Sequence, residues 1–595
     1  MKTLLKNLSK KLYILPLAAA TLSLGSCMED IEPQSDVASK NQLSQDSEAF
    51  TKLVNGLKTK MTQTDTYGGS SYIGSYSEAV ADWGYPCYMH MRDCLLDGMP
   101  TTGTGWNYQY VFEAATNLSS YSGYPYYYYY SMINNCNRII ATRNEDGATQ
   151  SILQQLAITR TYRALSYINL TMMYEFYKTG IEDLDKKAEA NGVFGLTVPL
   201  VTENTTSEEA KNNPRAPFYT MYRFIYNDLS LAEKNIAKYE RSEKNDINKD
   251  VVNGLMARFW MILGSRFDRN ADDLTLQLQH EQDEDGYAAL GISSAKDCFA
   301  KAAEYADKVI AAGYTPTTES QWHDTSTGFN TANQAWIWDL KFSSTETTPR
   351  YWMTLTGTYA AEPTWAFPAY TSEYRCISSM LFDKIDDNDW RKTTWVAPED
   401  AGAHTVPAKY ETLLKDSSAA TSSAKTSWHR LPAYTSLKFR PASGNMDSEE
   451  EGLLVAIPLM RVEEMYFIKA EAALHTSGLA AAKGLLESFM NNYRMKGGTY
   501  KCDAASADDF ISELIAQKYI EFWGEDVMYN DYKRLGLKID RKASGTNYLS
   551  AYQLKSKTGY TAPWLNFYIS DVERSFNQAI AMNPDPTAYV KEYCK

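Results

Sequence analysis

The sequence predicts a mainly α fold: a tetratricopeptide-like helix-pair scaffold (an α/α superhelix) with long irregular loop inserts and a few short strands. Three observations predict it. Apolar residues return at steps of three and four in segment after segment, which puts one buried stripe on each helix. Small residues such as Ala302, Ala303, Ala306, Ala470, Ala472 and Ala473 sit in two of these segments, where they let neighbouring helices approach closely. Between the periodic segments run stretches rich in Thr, Ser, Gly, Pro and aromatics, and loops of that length inside a compact protein are usually functional or disordered.

The chain opens with Lys2, Lys6, Lys10 and Lys11, followed by an apolar stretch from Leu12 through Leu24. A basic start, a short apolar core and small residues at its end make a secretory signal. The stretch falls short of the roughly 20 residues that a spanning helix needs. Leu24-Gly25-Ser26-Cys27 looks like a bacterial lipobox, in which the Cys thiol is lipidated and becomes the new N-terminus. The expected division is a lipoprotein signal peptide over 1–26, a lipidated tether over 27–48 starting at Cys27, and a single folded unit over 49–595. No later stretch approaches span length without charges, so the mature chain is expected to sit on a membrane through its lipid.

The stripes follow in chain order. Leu165, Ile168, Met172 and Phe176 form one, and Tyr222, Ile225, Leu229, Ala232 and Ile236 the next. Val252, Leu255, Phe259 and Ile262 follow, then Phe299, Ala302, Ala306 and Val309. Leu459, Val462, Tyr466, Ala470 and Ala473 precede Ile511, Ile515, Tyr519 and Phe522. Gly313 and Gly478 stand where helices should stop. Trp336, Trp338 and Leu340 alternate within 335–342 and predict a short strand. The main inserts are 67–110, 178–216, 316–376 and 395–452. A strict 34-residue repeat is not visible.

Composition excludes several functions. The net charge is −14, which repels phosphate backbones and argues against nucleic acid. Eight Cys include no C-x-x-C pair, so a zinc ribbon is out. Cys87 and Cys94 fit either a local disulfide or two small apolar residues on one helix. His90, His280, His323, His404, His429 and His475 form no H-E-x-x-H. No G-x-S-x-G elbow, P-loop or dinucleotide fingerprint occurs. The run from Glu281 to Gly286 resembles a calcium loop, but Ile292 occupies the twelfth position, where a bidentate carboxylate belongs. A solvated acidic turn is expected there. Asp383, Asp386, Asp387 and Asp389 either cap helices or hold a cation. No catalytic residue, metal site or cofactor is expected.

The 44 Tyr outnumber the 20 Phe. A buried Tyr must find a partner for its hydroxyl, so the excess points to half-wet rings. Such rings suit the flat C–H faces of sugars. They equally suit the seams between packed helices, which should absorb most of them.

Several segments, in order, resemble the SusD/RagB family. Tyr126 through Tyr130 leads to Asn134-Asn135-Cys136-Asn137-Arg138-Ile139-Ile140, similar to an early family helix. Arg160-Thr161-Tyr162-Arg163-Ala164-Leu165 with Tyr174-Glu175, Val198-Pro199-Leu200, and Pro214-Arg215-Ala216 before Asp228-Leu229 continue the likeness. The most specific stretches are Ile457-Pro458-Leu459-Met460-Arg461 with Lys469-Ala470-Glu471-Ala472, and Phe522-Trp523-Gly524-Glu525 with Asp531-Tyr532-Lys533-Arg534. Gln517-Lys518 and Ile569-Ser570 depart from the family pattern. The charged residues Arg461, Glu463, Glu464, Glu471 and Arg534 are expected to form ion pairs between helices.

The resemblance implies a surface-exposed outer-membrane lipoprotein with no catalytic role. Its partner would be a SusC-like TonB-dependent outer-membrane barrel and its ligand a glycan, captured on loop aromatics with polar neighbours. The expected ligand residues are Tyr72, Trp83 and Trp106 with Asp82, Arg92 and Asp93 from the early insert, and Trp322, Trp352, Trp365 and Tyr370 from the middle one. These two inserts, far apart in sequence, are expected to form one platform. Alternatives are peptide capture on the same scaffold, as in the RagB branch, and a structural surface protein.

Overall fold

The computed structural model describes residues 47–62, 84–103, 120–143, 145–343, 355–360, 368, 372–411, 431–444 and 452–595. Cys27 and the expected signal and tether up to residue 46 lie outside these. The fold is mainly helical. Its long helices are α1 (Ser47–Thr62), α2 (Tyr85–Cys94), α3 (Ser120–Ile140), α4 (Gln150–Tyr174), α5 (Phe218–Ile236), α6 (Lys249–Arg269), α7 (Ala295–Ile310), α8 (Val462–Ser477), α9 (Leu479–Tyr493), α10 (Ala507–Phe522) and α11 (Met528–Leu535). From α3 to α9, each of these helices packs on the next, the arrangement of a tetratricopeptide-like stack.

Local chemistry sets the ends. Thr149 caps α4 by accepting from the Ile152 N–H, and Asn248 caps α6. Ser294 with Asp297 and Ser506 with Asp509 make reciprocal capping boxes on α7 and α10. Gly478 ends α8 at φ 93°, a conformation few side chains tolerate. Close approach to α6 needs small residues, and two glycines supply it, one facing a strand and one facing α7. A Cβ on Gly254 would fall 2.1 Å from Met460 Sδ, and one on Gly264 would fall 2.9 Å from the Phe299 ring.

The predicted stripes on α5, α6 and α7 are buried in full. Two others cross an element boundary. Phe176 lies beyond α4, which Glu175 ends, and forms a parallel bridge with Phe194. Leu459 belongs to strand β4 (Ala456–Arg461), and α8 begins only at Val462. Strand β3 (Trp336–Lys341) pairs antiparallel with β4. Trp336 through Leu340 are all buried, so β3 is covered on both faces where alternation had implied one. A second pair, β1 (Leu196–Pro199) and β2 (Arg215–Pro217), closes the 178–216 insert.

Tyrosine fills the seams as its count implied. The Tyr167 hydroxyl donates to Val201 O at 2.8 Å, Tyr174 to Ser122 O at 2.6 Å and Tyr130 to Pro199 O at 2.6 Å. Each ring is buried or half-buried while its hydroxyl joins a helix to a neighbouring segment.

Candidate functional site

The inserts meet at their roots. Cys376 N donates to Pro100 O at 3.0 Å, Ser378 N to Gly98 O at 3.1 Å and Thr102 N to Tyr374 O at 3.2 Å, with Thr101 bridging Arg375. The early and middle inserts are thus zipped by backbone bonds. The third insert continues the ladder. Ile377 N donates to Tyr434 O at 3.0 Å, Val396 N to Thr435 O at 3.0 Å, and Leu437 N to Thr394 O at 2.7 Å. Four strands of chain (98–102, 374–378, 434–437 and 394–396) therefore lie side by side. Tyr374, Cys376, Val396, Val406, Tyr410, Leu431 and Leu437 form a small apolar core for them.

The helical scaffold buttresses this ladder through the Phe522-Trp523-Gly524-Glu525 segment. Trp523 Nε1 donates to Gly98 O at 3.0 Å, and its ring meets Tyr359 and Trp395 at centroid distances of 5.6 and 6.3 Å. Gly98 also lies under Tyr519, whose ring a Cβ there would overlap at 2.1 Å. The Tyr519 hydroxyl accepts from Gly98 N at 3.1 Å.

Beneath sits a charged core. Glu521 accepts from Arg494 at 2.7 and 2.8 Å, from Arg461 at 3.1 Å and from Arg391 at 3.0 Å. Burial raises the Glu521 pKa, but Arg494, then Arg461 and Arg391, outweigh it and hold the carboxyl well below the usual range. Arg534 pairs with Glu471 at 2.5 Å and Arg258 with Glu464 at 2.6 Å, so the expected ion pairs form. Gln517 and Lys518, which make up one of the two departures from the family pattern, join these buried charges. Gln517 Oε1 accepts from Arg391 at 2.7 Å, and Lys518 pairs with Asp531 at 2.6 Å.

Three expected ligand residues are buried and not on a surface. Arg92 is buried in α2, pairs with both oxygens of Asp526 and donates to the Tyr129 hydroxyl at 2.7 Å. Asp93 is buried beside it and accepts from the Tyr359 hydroxyl at 3.2 Å, and burial pushes its carboxyl well up. Trp322 is fully buried, stacked edge-on to Phe329 and Trp390, and donates to Thr394 Oγ1 at 3.0 Å. All three were placed by their position in long inserts, and position does not reveal that distant segments cover them. Tyr72, Asp82, Trp83, Trp106, Trp352, Trp365 and Tyr370 lie outside the described residues. The ladder leaves no signature in the sequence, because its bonds run between backbones.

The remaining candidates resolve as structure. Cys87 and Cys94 are buried thiols on α2 that are not joined by a disulfide, and Cys94 Sγ lies 3.3 Å from His90 Nε2. Asp389 accepts from the Arg391 N–H at 2.9 Å and pairs with its guanidinium, and Asp387 pairs with Lys392 at 2.6 Å. The Glu281–Gly286 turn is more engaged than a solvated loop: Glu281 accepts from Leu290 N at 2.5 Å and Asp285 holds Arg223. Among the described residues, no cluster of His, Cys, Asp and Glu could hold a metal ion.

A stacked helical scaffold with inserts gathered onto one backbone ladder defines a class of helical-repeat proteins in which long inserts are joined at their roots over the helices. Residues 298–591, just under half of the chain, match the model of the SusD family, and this stretch belongs to that family. The fold matches a SusD-like carbohydrate binding protein from Bacteroides vulgatus ATCC 8482 with a TM-score of 0.61 at 19% identity, covering 90% of this chain and 97% of that one. A SusD superfamily protein from Bacteroides thetaiotaomicron VPI-5482 matches with a TM-score of 0.58 at 17% identity, covering 90% and 99%. One from Parabacteroides distasonis ATCC 8503 gives 0.58 at 16%, covering 90% and 98%. Comparison with curated proteins finds no match.

Proposed function

We propose that the chain is a surface-exposed, lipid-anchored outer-membrane protein that captures a poly- or oligosaccharide on its inserts and delivers it to a SusC-like TonB-dependent barrel. The observation that carries this reading is the ladder that ties the early and middle inserts together. It roots next to one another the two segments that hold Tyr72, Asp82, Trp83 and Trp106 on one side and Trp352, Trp365 and Tyr370 on the other. Family membership supports a carbohydrate ligand. No helix among the described residues is long and apolar enough to cross a membrane, which accords with attachment through Cys27.

The mechanism is capture without chemistry. Aromatic faces stack on sugar C–H faces, and polar edges orient the hydroxyls. The lipid keeps the protein beside the barrel, so bound glycan is held at high effective concentration near the pore. A glycan array on the soluble chain tests the reading, and so does purification of the lipidated chain in detergent. Saturable glycan binding and a co-purifying barrel are expected. Release of reducing ends, or binding of peptides and no glycan, overturns it.

A further inference from the structure

A separate cleft of about 560 Å³ opens where α4 and α6 end, and it shares no lining residue with the insert ladder. The chain turns sharply here. Glu175 ends α4, and Phe176 bridges Phe194, their rings edge to face at 5.8 Å, to form one wall. Tyr560 forms the opposite rim and is 41% exposed, although its ring is seated against Gly180. A Cβ on Gly180 would fall 2.8 Å from that ring, so the glycine is what lets Tyr560 lie flat there. An exposed aromatic face held by its neighbours is a stacking surface.

The charges around the cleft do not cancel. Arg266 is answered by Glu175 at 2.6 Å and Asp273 at 2.7 Å. Arg269 is not answered by a carboxylate among the described residues. It donates to the carbonyls of Arg534 at 2.8 Å and Gly559 at 3.2 Å, which fixes its guanidinium and leaves its charge and further donors unspent. Lys178 is exposed and stands 5.8 Å from the centre of the Phe194 ring, again without a carboxylate partner among the described residues. Asn270 uses its side-chain oxygen to cap the next helix, which leaves its amide donors on the rim. A rim of donors with two unanswered cations, on a chain of net charge −14, favours an acceptor-rich anion.

We infer that this cleft is a second binding site, for a carboxylate-bearing sugar unit of an acidic oligosaccharide. Its carboxylate meets Lys178 and Arg269, a ring hydroxyl accepts from Asn270, and a pyranose face lies on Tyr560. The site is independent of the insert face. Calorimetric titration with trigalacturonate, and separately with a heparin tetrasaccharide, tests it on the full mature chain. The expected result is saturable binding of at least one probe, weakened by added salt and reduced at least ten-fold in Lys178→Gln and in Tyr560→Ala. Both positions are exposed, so thermal melts of the variants should match the parent. Trp83→Ala should leave this binding intact, which separates failure here from failure of the insert site. No saturable binding of either probe, or equal binding in both variants, overturns the inference. It also falls if the two variants lose only a co-purifying barrel, because the cleft is then a protein contact.

Discussion

Arg461 Nη1 donates to Glu521 Oε1 at 3.1 Å, and both side chains are fully out of contact with water. Arg461 comes from the end of β4 and Glu521 from α10, so this pair joins the strand pair to the C-terminal helices. Burying such charges is costly unless every partner is present.

Removing the acceptor should therefore cost far more than an exposed ion pair. Glu521→Gln leaves Arg461, Arg494 and Arg391 without their shared carboxylate, and the expected loss is about 3–5 kcal/mol. Denaturant unfolding measures it. Because the Glu521 carboxyl is held well below its usual range, its contribution is present above the ordinary glutamate pKa and fades as pH falls through the depressed value. The variant's stability deficit should shrink toward strong acid. A deficit that stays constant with pH would contradict this.

Asp339 behaves in the opposite sense. It is buried in β3, and burial pushes its carboxyl up to about 6, against the pull of Arg241 and Lys244. A raised folded-state value means that stability is favoured below the unfolded pKa and lost as pH rises through about 6. Asp339→Asn should raise the melting temperature at pH 7.5, the full shift corresponding to roughly 2–3 kcal/mol of unfolding free energy. At pH 4 it should change little. Paired melts at the two values decide the matter.

Trp322 and the insert tryptophans should separate cleanly. Trp322→Ala opens a cavity in the core and is expected to cost about 3–5 kcal/mol. Any loss of glycan affinity should track the loss of folded protein. Trp83→Ala, Trp352→Ala and Trp365→Ala, made singly, should lower glycan affinity with melts near the parent. Unchanged affinity in all three rejects the placement of the site on these residues.

Gly98 tests the ladder itself. A Cβ there would overlap the Tyr519 ring at 2.1 Å, at the point where Trp523 also bonds the Gly98 carbonyl. Gly98→Ala should cost about 1–3 kcal/mol through overpacking. It should also speed amide exchange at Cys376 and Ser378, whose N–H groups bond to 98–100. Unchanged exchange there would show that the inserts are held by something else.

The helical stack was legible because its cause is local. The stripes on α5, α6 and α7 need only a period and a few small residues, and Gly478 announces its own turn. Errors arose at element boundaries. Phe176 and Leu459 continue a helical period by spacing alone, but each lies outside the helix its stripe predicted. The candidate site was far less legible. Arg92 looks like a loop residue until Asp526 is brought to it from the other end of the chain. The same holds for Asp93 and Trp322, whose burial depends on Tyr359, Phe329 and Trp390. What sequence did carry was the grouping of the early and middle inserts, though not the backbone bonding that joins them.

That bonding has an evolutionary corollary. Main-chain amides are common to nearly every residue, so a graft that keeps Gly98, the Arg375 region and Trp523 would dock whatever it brings with it. Insert segments beyond the ladder can then be exchanged while the charged centre around Glu521 stays untouched. Chimaeras that exchange 104–119 and 344–354 and keep the helices between them would show whether binding preference travels with these segments.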